Sequence, residues 1–368
     1  MGYIISYPER IIPLKMKTSL FNYQLPKNLI ANSPAKPRDS SRLMVIDRFT
    51  DKISHYRFSE LEKLLGPNDV LVLNKTRVFP ARLFGKKTTG GKVEVLLHKN
   101  IDKLTWEVLT KPGLKAGQEV SFKGCLLQIV KRKGETSVAK FDIPKDLLIK
   151  RLQKIGITPL PPYIHSGKTE KDLRREYQTI YARSLGSVAA PTAGFHFTKS
   201  LLSKLKTKGI QIEYVTLHVG LGTFAPVKTQ NIESHPMHYE YFEAEPKAIE
   251  RLNRAKKVGK RIVVVGTTTT RVLETLANKQ NRLRSGSLRG NTNLFVYPLY
   301  KFKFVDALIT NFHLPKSTLL CLVSAFVSYP NTKKGFKNFN NSLMGKAYME
   351  AKVNKYRFYS FGDACFIT

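Results

Sequence analysis

The sequence is short of negative charge and of cysteine, and each scarcity narrows what the chain can be. Asp and Glu number 27 against 62 Lys and Arg, a formal net charge of +35. Such a chain carries a positive potential over much of its surface and draws in polyanions, so nucleic acid is the first candidate partner. The three cysteines, Cys125, Cys321 and Cys365, are far apart and form no CxxC. That excludes a disulfide frame or zinc knuckle and reads as buried thiols in a reducing compartment. No apolar run reaches the roughly eighteen residues of a membrane span, and the start MGYIISYPERIIPLKMK has no signal-peptide pattern. A soluble, cytoplasmic chain with no membrane partner is expected. Nucleophile elbow, HExxH and paired-carboxylate motifs are also missing. In HPMH, His235 and His238 have no third ligand near them and Pro236 breaks the helix that would align them, so a surface loop pair is expected and no metal.

What is present is enough for two domains: 368 residues, 42% of them hydrophobic. Residues 1–15 carry little pattern and are read as an extension, disordered or misassigned, ahead of a second possible start at Met16. RLMVIDR and KISHYRF alternate around Thr50, Asp51 and Lys52, which predicts a hairpin. FSELEKLL has helical spacing, with Ser59 and Glu62 placed as a capping box. DVLVLN reads as a strand buried on both faces. From about residue 76 to 145 the texture changes to six short β-rich runs, RVFPARLF, KVEVLL, LTWEVLT, QEVSF, CLLQIV and SVAKFDI. Their Gly-rich or charged separators predict a small antiparallel barrel inserted into an α/β domain made of 16–75 and 146–368.

Beyond PLPPYI the pattern is α/β. KSLLSKLKTKG is a helix ending at Gly209, and IQIEYVTLHV is a strand. PKAIERLNRAKKVGK is a helix with Pro246 in its first turn, followed by the buried strand RIVVVG. Gly266 and Thr267 to Thr270 lead into another helix, where free N–H groups suit an anion, although ordinary capping is the commoner explanation. DALITNFHLPKSTLLCLVSAF gives strand, polar turn and apolar helix. The basic stretch NRLRSGSLRGNTN reads as a mobile surface loop, and YRFYSFGDACFI as a core strand or a base-stacking surface.

Two glycine-rich stretches, SVAAPTAGFHFT and TLHVGLGTF, each carry one histidine among small and apolar residues. Gly194, Gly220 and Gly222 would let a ligand approach the main chain, or simply make tight turns. Polar side chains gather where strands are expected to end: Thr192, His196, His218, Thr223, Glu240, Thr268, Asn311 and His313. Such a set can bind a polar ligand and move protons. His196 has the most ligand-like context, between Phe195 and Phe197. His218 and His313 follow, with Glu94 or Glu240 to orient an imidazole.

PRDSSRLMV, LNKTRVFPARL, TGGKVEVLL, SVAAPTAGFHFT, TLHVGLGTFAPV, HPMHYEYF, VGTTTTRVLE, DALITNFHLPKSTLL and YRFYSFGDA together resemble the S-adenosylmethionine:tRNA ribosyltransferase-isomerases of queuosine biosynthesis, in order from about Phe21 to the end. The resemblance implies transfer and isomerisation of the ribosyl part of S-adenosylmethionine onto 7-aminomethyl-7-deazaguanine at the tRNA wobble position. Adenine and methionine leave, epoxyqueuosine forms, and no metal takes part. It implies an α/β domain with a mixed sheet flanked by helices, plus an inserted six-stranded antiparallel barrel. A monomer is expected. On the residues' own context, the catalytic candidates are His196, His218, His313 and Glu240. The donor would lie against Ala193, Gly194, Gly220, Gly222, Thr223, Thr267, Thr268 and Asn311, and the tRNA against Arg38, Arg42, Arg77, Arg82, Arg271 and Lys316. Lys75 stands where the family usually has Asp or Asn, and residues 281–290 and 331–341 fall outside its pattern. A non-catalytic RNA-binding protein would explain the charge but not the two loops. An S-adenosylmethionine-dependent methyltransferase should show a glycine fingerprint after its first strand.

Overall fold

The computed structural model describes residues 15–220, 222, 226–286 and 288–368. The extension read over residues 1–15 therefore falls almost wholly outside the described residues, as does Thr223. Strands β1 (Arg42–Ile46) and β2 (Ile53–Arg57) form the expected antiparallel hairpin. The segment after it begins as a 3-10 turn over Phe58–Glu60 before the short helix α1 (Leu61–Leu64). Its capping box joins Arg57 and Glu60 rather than Ser59 and Glu62: Glu60 accepts the Arg57 N–H at 2.9 Å. Tertiary placement of Phe58, fully buried, pulls the start of the helical turn back by two residues.

Strand β3 (Asp69–Asn74) is buried at every position. Val70 and Val72 face one side of the sheet and Leu71 and Leu73 the other, and both sides are covered. From the end of β3 the chain makes a short strand β4 (Thr76–Val78) and then leaves the sheet. It enters a closed barrel made of β5 (Arg82–Lys87), β6 (Lys92–Asn100), β7 (Thr105–Lys111), β8 (Glu119–Phe122), β9 (Cys125–Lys133) and β10 (Thr136–Phe141). Neighbouring strands are antiparallel in the order β10-β7-β6-β5-β8-β9. Alternate side chains such as Val93, Val95, Leu97, Val108, Val120, Leu127 and Phe141 fill the interior. RVFPARLF is two strands, because Pro80 has no N–H to give a ladder. β4 pairs instead with β11 (Ser184–Ser187), which follows helices α2 (Lys145–Ile155) and α3 (Glu170–Glu176).

The chain rejoins the main domain through α4 (Lys199–Thr207) and β12 (Gln211–Leu217). Then come β13 (Glu240–Ala244), α5 (Pro246–Lys257), β14 (Arg261–Val265), α6 (Thr267–Leu276), β15 (Arg289–Thr292), β16 (Ala307–Asn311), α7 (Thr318–Phe326), α8 (Leu343–Val353) and β17 (Ala364–Ile367). The mixed nine-stranded sheet has the order β15-β13-β12-β3-β14-β16-β17-β1-β2. Its middle, β12-β3-β14-β16, is parallel. The apolar sides of α1 and α4 cover one face through Leu61, Leu201 and Leu205. Those of α5, α6 and α7 cover the other through Leu252, Leu273 and Leu320. Part of the stretch read as a mobile loop, Arg289–Thr292, is the edge strand β15, held to β13 by a regular antiparallel register. The three cysteines are buried and unbridged, and burial raises the thiols of Cys125 and Cys365 to about 11 and about 12. Among the described residues no helix is long and apolar enough to cross a membrane.

Candidate active site

In a parallel sheet, ligands bind beyond the carboxyl ends of the strands, where loops diverge. Here those ends are Leu217, Asn74, Val265 and Asn311, and the chain departs for the barrel directly after Asn74. The insertion point therefore sets the barrel over the binding edge of the sheet. Between them lies a cavity of about 450 Å³, lined by His98, Trp106, Gly186, His218, Gly220 and Glu240 among others. Two narrow clefts, about 30 and 20 Å³, continue along the same edge. Thr267 and Thr268 line both clefts, and Glu240 lines the second cleft and the large cavity. Of the expected site residues, Ala193, His218, Gly220, Gly222, Glu240, Thr267, Thr268, Arg271, Asn311 and His313 each line one or more of these openings, whereas Gly194, His196, Arg38, Arg42, Arg77, Arg82 and Lys316 line none of them.

The wall is built by hydrogen bonds between strand ends. Gly266, with φ +86, turns the chain from β14 into α6 and brings Thr267 and Thr268 to the first helical turn. The Asn74 side-chain amide donates to Leu217 O at 3.0 Å and to Thr268 Oγ1 at 3.2 Å, tying the ends of β3 and β12 to the start of α6. Thr192 donates to Asn311 Oδ1 at 2.8 Å, and the Asn311 amide lies 3.3 Å from His196 Nε2. Ala193 lines the first cleft, whereas Gly194 does not face a ligand: a Cβ there would lie 2.0 Å from the Tyr181 hydroxyl oxygen. Its missing side chain serves packing. Gly222 is pressed against His238, where a Cβ would meet Cδ2 at 2.2 Å.

The three candidate histidines occupy different settings. His196 is buried behind Asn311, with Nδ1 2.8 Å from Ser41 Oγ and its ring stacked 4.9 Å from Phe58. With the Asn311 amide donating to Nε2, Nδ1 carries the proton. Burial lowers its pKa to about 4, so the imidazole is neutral at neutral pH and anchors Asn311. His313 lines the first cleft, holds Thr310 Oγ1 at 2.9 Å, and is likewise lowered by burial, to about 3. His218 faces the large cavity, stacked on Tyr241 at 5.6 Å, with Nδ1 2.8 Å from Thr76 Oγ1. Burial first and Lys145 second lower it to about 4.

Glu240 sits at the centre. Oε1 accepts the Gly220 N–H at 2.7 Å and Oε2 pairs with Arg271, both side chains being buried. Arg271 also donates to the carbonyls of Leu294 and Thr292. It is therefore committed inside the protein, and its reading as a tRNA contact is corrected. Arg38, partly exposed, donates its guanidinium to the carbonyls of Arg175, Glu176 and Gln178. Arg42 is held by Asn354 O, Lys355 O and Asp363 with its side chain still 32% exposed. Arg82 pairs with Glu94 at 3.0 Å, which takes Glu94 away from any histidine. Arg77 is exposed on β4, and Lys316, at φ +56, is half-buried before α7. Lys75 pairs with Glu245 at the start of α5, a structural tie between the end of β3 and that helix.

Sequence reasoning missed His98 and Trp106, both on the barrel and both lining the large cavity. No motif marked them, because their neighbours come from β12 and β13. His238, in an exposed loop, turns its ring to within 6.0 Å of the His98 ring. No group of three or more His, Cys, Asp or Glu side chains among the described residues is placed to hold a metal ion.

Comparison with known proteins gives a consistent result. The family model described as queuosine biosynthesis protein matches residues 18–367. The S-adenosylmethionine:tRNA ribosyltransferase-isomerase of Halothermothrix orenii is 49% identical over 358 residues, covering 96% of this chain and all of its own length. The enzyme of the same name from Carboxydothermus hydrogenoformans is 49% identical over 356 residues, again 96% of this chain and all of its own. The crystal structure of the S-adenosylmethionine tRNA ribosyltransferase of Thermotoga maritima is similar with a TM-score of 0.52 and 35% identity, covering 95% of this chain and all of that one.

Proposed function

The chain belongs to the queuosine biosynthesis protein family, and from that membership we propose that it is an S-adenosylmethionine:tRNA ribosyltransferase-isomerase. It moves the ribosyl group of S-adenosylmethionine onto tRNA and isomerises it. The acceptor is 7-aminomethyl-7-deazaguanine at the wobble position, and the products are epoxyqueuosine, adenine and methionine. S-adenosylmethionine is consumed as a sugar donor, the enzyme acts as a cytoplasmic monomer, and its own side chains carry the proton transfers without a metal.

The observation that supports this best is the position of the barrel, which closes a 450 Å³ cavity over the carboxyl edge of the parallel strands. A reaction that opens a sugar must take a weakly acidic proton from carbon beside a sulfonium and give one to departing adenine. Neutral imidazoles can accept a proton, and His98 and His218 are both lowered below 6.5, chiefly by burial. Glu240, fixed by Gly220 and Arg271, supplies a carboxylate whose orientation does not have to be found during turnover. Thr267, Thr268 and Asn311 offer hydroxyl and amide groups along the adjoining cleft.

The test is to incubate the protein with S-adenosylmethionine and tRNA carrying the deazaguanine precursor, and to quantify adenine and methionine. Equimolar release of both is expected. Formation of S-adenosylhomocysteine in their place would make the protein a methyltransferase, and tRNA binding with no donor consumed would make it a non-catalytic binder.

A further inference from the structure

The first N–H groups of α6, those of Thr267, Thr268 and Thr269, find no hydrogen-bond acceptor among the described residues, and no side chain caps the helix. Helices α4, α7 and α8 begin instead under Thr198, Ser317 and Ser342, each of which accepts an N–H of the first turn. The uncapped start of α6 faces both narrow clefts, since Thr267 and Thr268 line each of them. A helix start of this kind carries partial positive charge and open donors, a combination that favours an anion.

The threonine run divides into two pairs. Thr269 and Thr270 turn their hydroxyls to the carbonyls of Val265 and Gly266. Thr267 is only 6% exposed and lines both clefts, yet its hydroxyl has no partner among the described residues. Thr268 has its direction imposed by Asn74. That side chain is fully buried, and its Oδ1 accepts the N–H groups of Thr76 and Leu217, both at 3.1 Å. The amide nitrogen is thereby fixed toward Thr268 Oγ1, at 3.2 Å. An oxygen that already accepts from Asn74 turns its own hydrogen elsewhere, and no acceptor for it stands among the described residues.

Donors therefore converge on this point without an acceptor. The charges of the second cleft, Glu240 and Arg271, neutralise each other. Size narrows the ligand further: the clefts hold about 30 and 20 Å³, space for one or two water-sized groups each. A planar carboxylate fits such a space, whereas a phosphodiester brings four oxygens and two chain connections. On the ribosyl-transfer reading, on which this inference rests, S-adenosylmethionine carries a carboxylate and the acceptor base carries none.

We infer that the start of α6 is a carboxylate subsite for the amino-acid end of S-adenosylmethionine, formed by the N–H groups and hydroxyls of Thr267 and Thr268, with Asn74 as the positioning residue that keeps the Thr268 hydroxyl turned toward it. The buried Asn74 then has a part in donor selection without touching the donor.

The test compares S-adenosylmethionine with its decarboxylated analogue, which lacks only the carboxylate. Binding of each to the full-length protein is measured by calorimetry, alone and with an anticodon stem-loop bearing guanine at the wobble position, which has no aminomethyl group to accept a ribosyl. The wild-type protein is expected to prefer S-adenosylmethionine at least about a hundredfold. Thr268→Val, similar in shape but without the hydroxyl, should cut that preference about tenfold, the loss of one hydrogen bond to a charged group, and leave the Kd of the analogue unchanged. Asn74→Asp presents an oxygen to Thr268 and takes its hydrogen, so it should also lower the preference, whereas a merely structural role would weaken both ligands equally. If the Asn74 variant does not fold, Thr268→Val carries the test alone. Equal wild-type affinity for the two ligands, or a Thr268→Val protein with its preference intact, overturns the inference. So does a Thr268→Val protein that loses stem-loop affinity in place of donor preference, which would give the subsite to an RNA phosphate. Release of adenine and methionine by the wild-type protein is scored separately, so the proposed reaction can stand where the subsite fails.

Discussion

Arg271 on α6 and Glu240 on β13 form an ion pair whose side chains are only 6% and 4% exposed, and the other carboxylate oxygen holds the Gly220 N–H at 2.7 Å. One pair thus ties a helix start, a strand end and a glycine loop into the wall shared by the second cleft and the large cavity. A buried pair of this kind is costly to break because the remaining charge is stranded. Arg271→Ala should lower unfolding stability by about 3–5 kcal/mol in guanidinium titrations. The apolar double variant Glu240→Leu with Arg271→Met should regain most of that loss while turnover stays low. A single variant as stable as wild type would show that the pair is solvated in solution.

Gly220 is required by what stands over it. A Cβ there would lie 2.8 Å from His98 Cε1, closer than real side chains approach. Gly220→Ala should reduce turnover by at least about tenfold, the effect of a reacting group displaced by a fraction of an ångström, with the thermal midpoint little changed. In a His98→Ala background the same substitution should have no further effect, since the obstructed ring is gone. Independent, additive losses in the double variant would place the clash elsewhere.

Acid should destabilise the protein through its buried imidazoles. His196, His218 and His313 have folded pKa values of about 4, 4 and 3 against an ordinary value of 6.5. Their unfolded forms take up protons first as pH falls. They contribute no pH dependence above about pH 7.5, and below 6.5 each removes up to ~1.4 kcal/mol of stability per pH unit until its folded pKa is reached. Urea midpoints between pH 7.5 and 4.5 should show this slope, and His313→Gln should flatten it. His196→Gln should leave the pH profile of turnover unchanged, because that imidazole is already neutral; a lost limb of the profile would restore His196 to the proton transfers.

RNA affinity should be set largely by phosphate contacts. A net charge of +35 predicts a binding constant that falls steeply with salt, each neutralised phosphate adding about −0.7 to −0.9 to the log–log slope. Lys99→Glu and Lys145→Glu, beside the cavity, should each make that slope shallower by about one contact. A flat salt response in filter binding would mean that the charge is not directed at RNA.

A chain beginning at Met16 should be fully active. Met16 is buried, its N–H is bonded to Glu233 Oε1 at 2.8 Å and its carbonyl accepts from Ile232, so a new terminal ammonium there would sit beside a carboxylate. A large loss of turnover in the shortened enzyme would assign residues 1–15 to the fold or the site.

Local chemistry in the sequence was enough for the hairpin at 42–57, the six barrel strands, the buried strand β3 and the helix that starts at Pro246, while α6 begins at Thr267, within the threonines read as the turn before it. Each of these is specified by alternation, by 3.6-residue spacing or by a turn residue within a few positions. The basic surface and the polar strand ends were legible for the same reason: they are properties of residues, or of residues and their neighbours. Tertiary structure alone decided which of those polar groups meet. Glu240 finds Arg271 and Gly220 because β13 returns beside β12. Arg38 and Arg42 are spent on carbonyls more than a hundred positions away, which no pattern of basic residues can reveal. His98 and Trp106 come to line the cavity because the barrel leaves the sheet at the end of β3, and His98 stands over Gly220 where the β6–β7 register shifts. Sequence reports what a side chain can do; burial and the partners brought by long-range strand pairing decide whether it is free to do it.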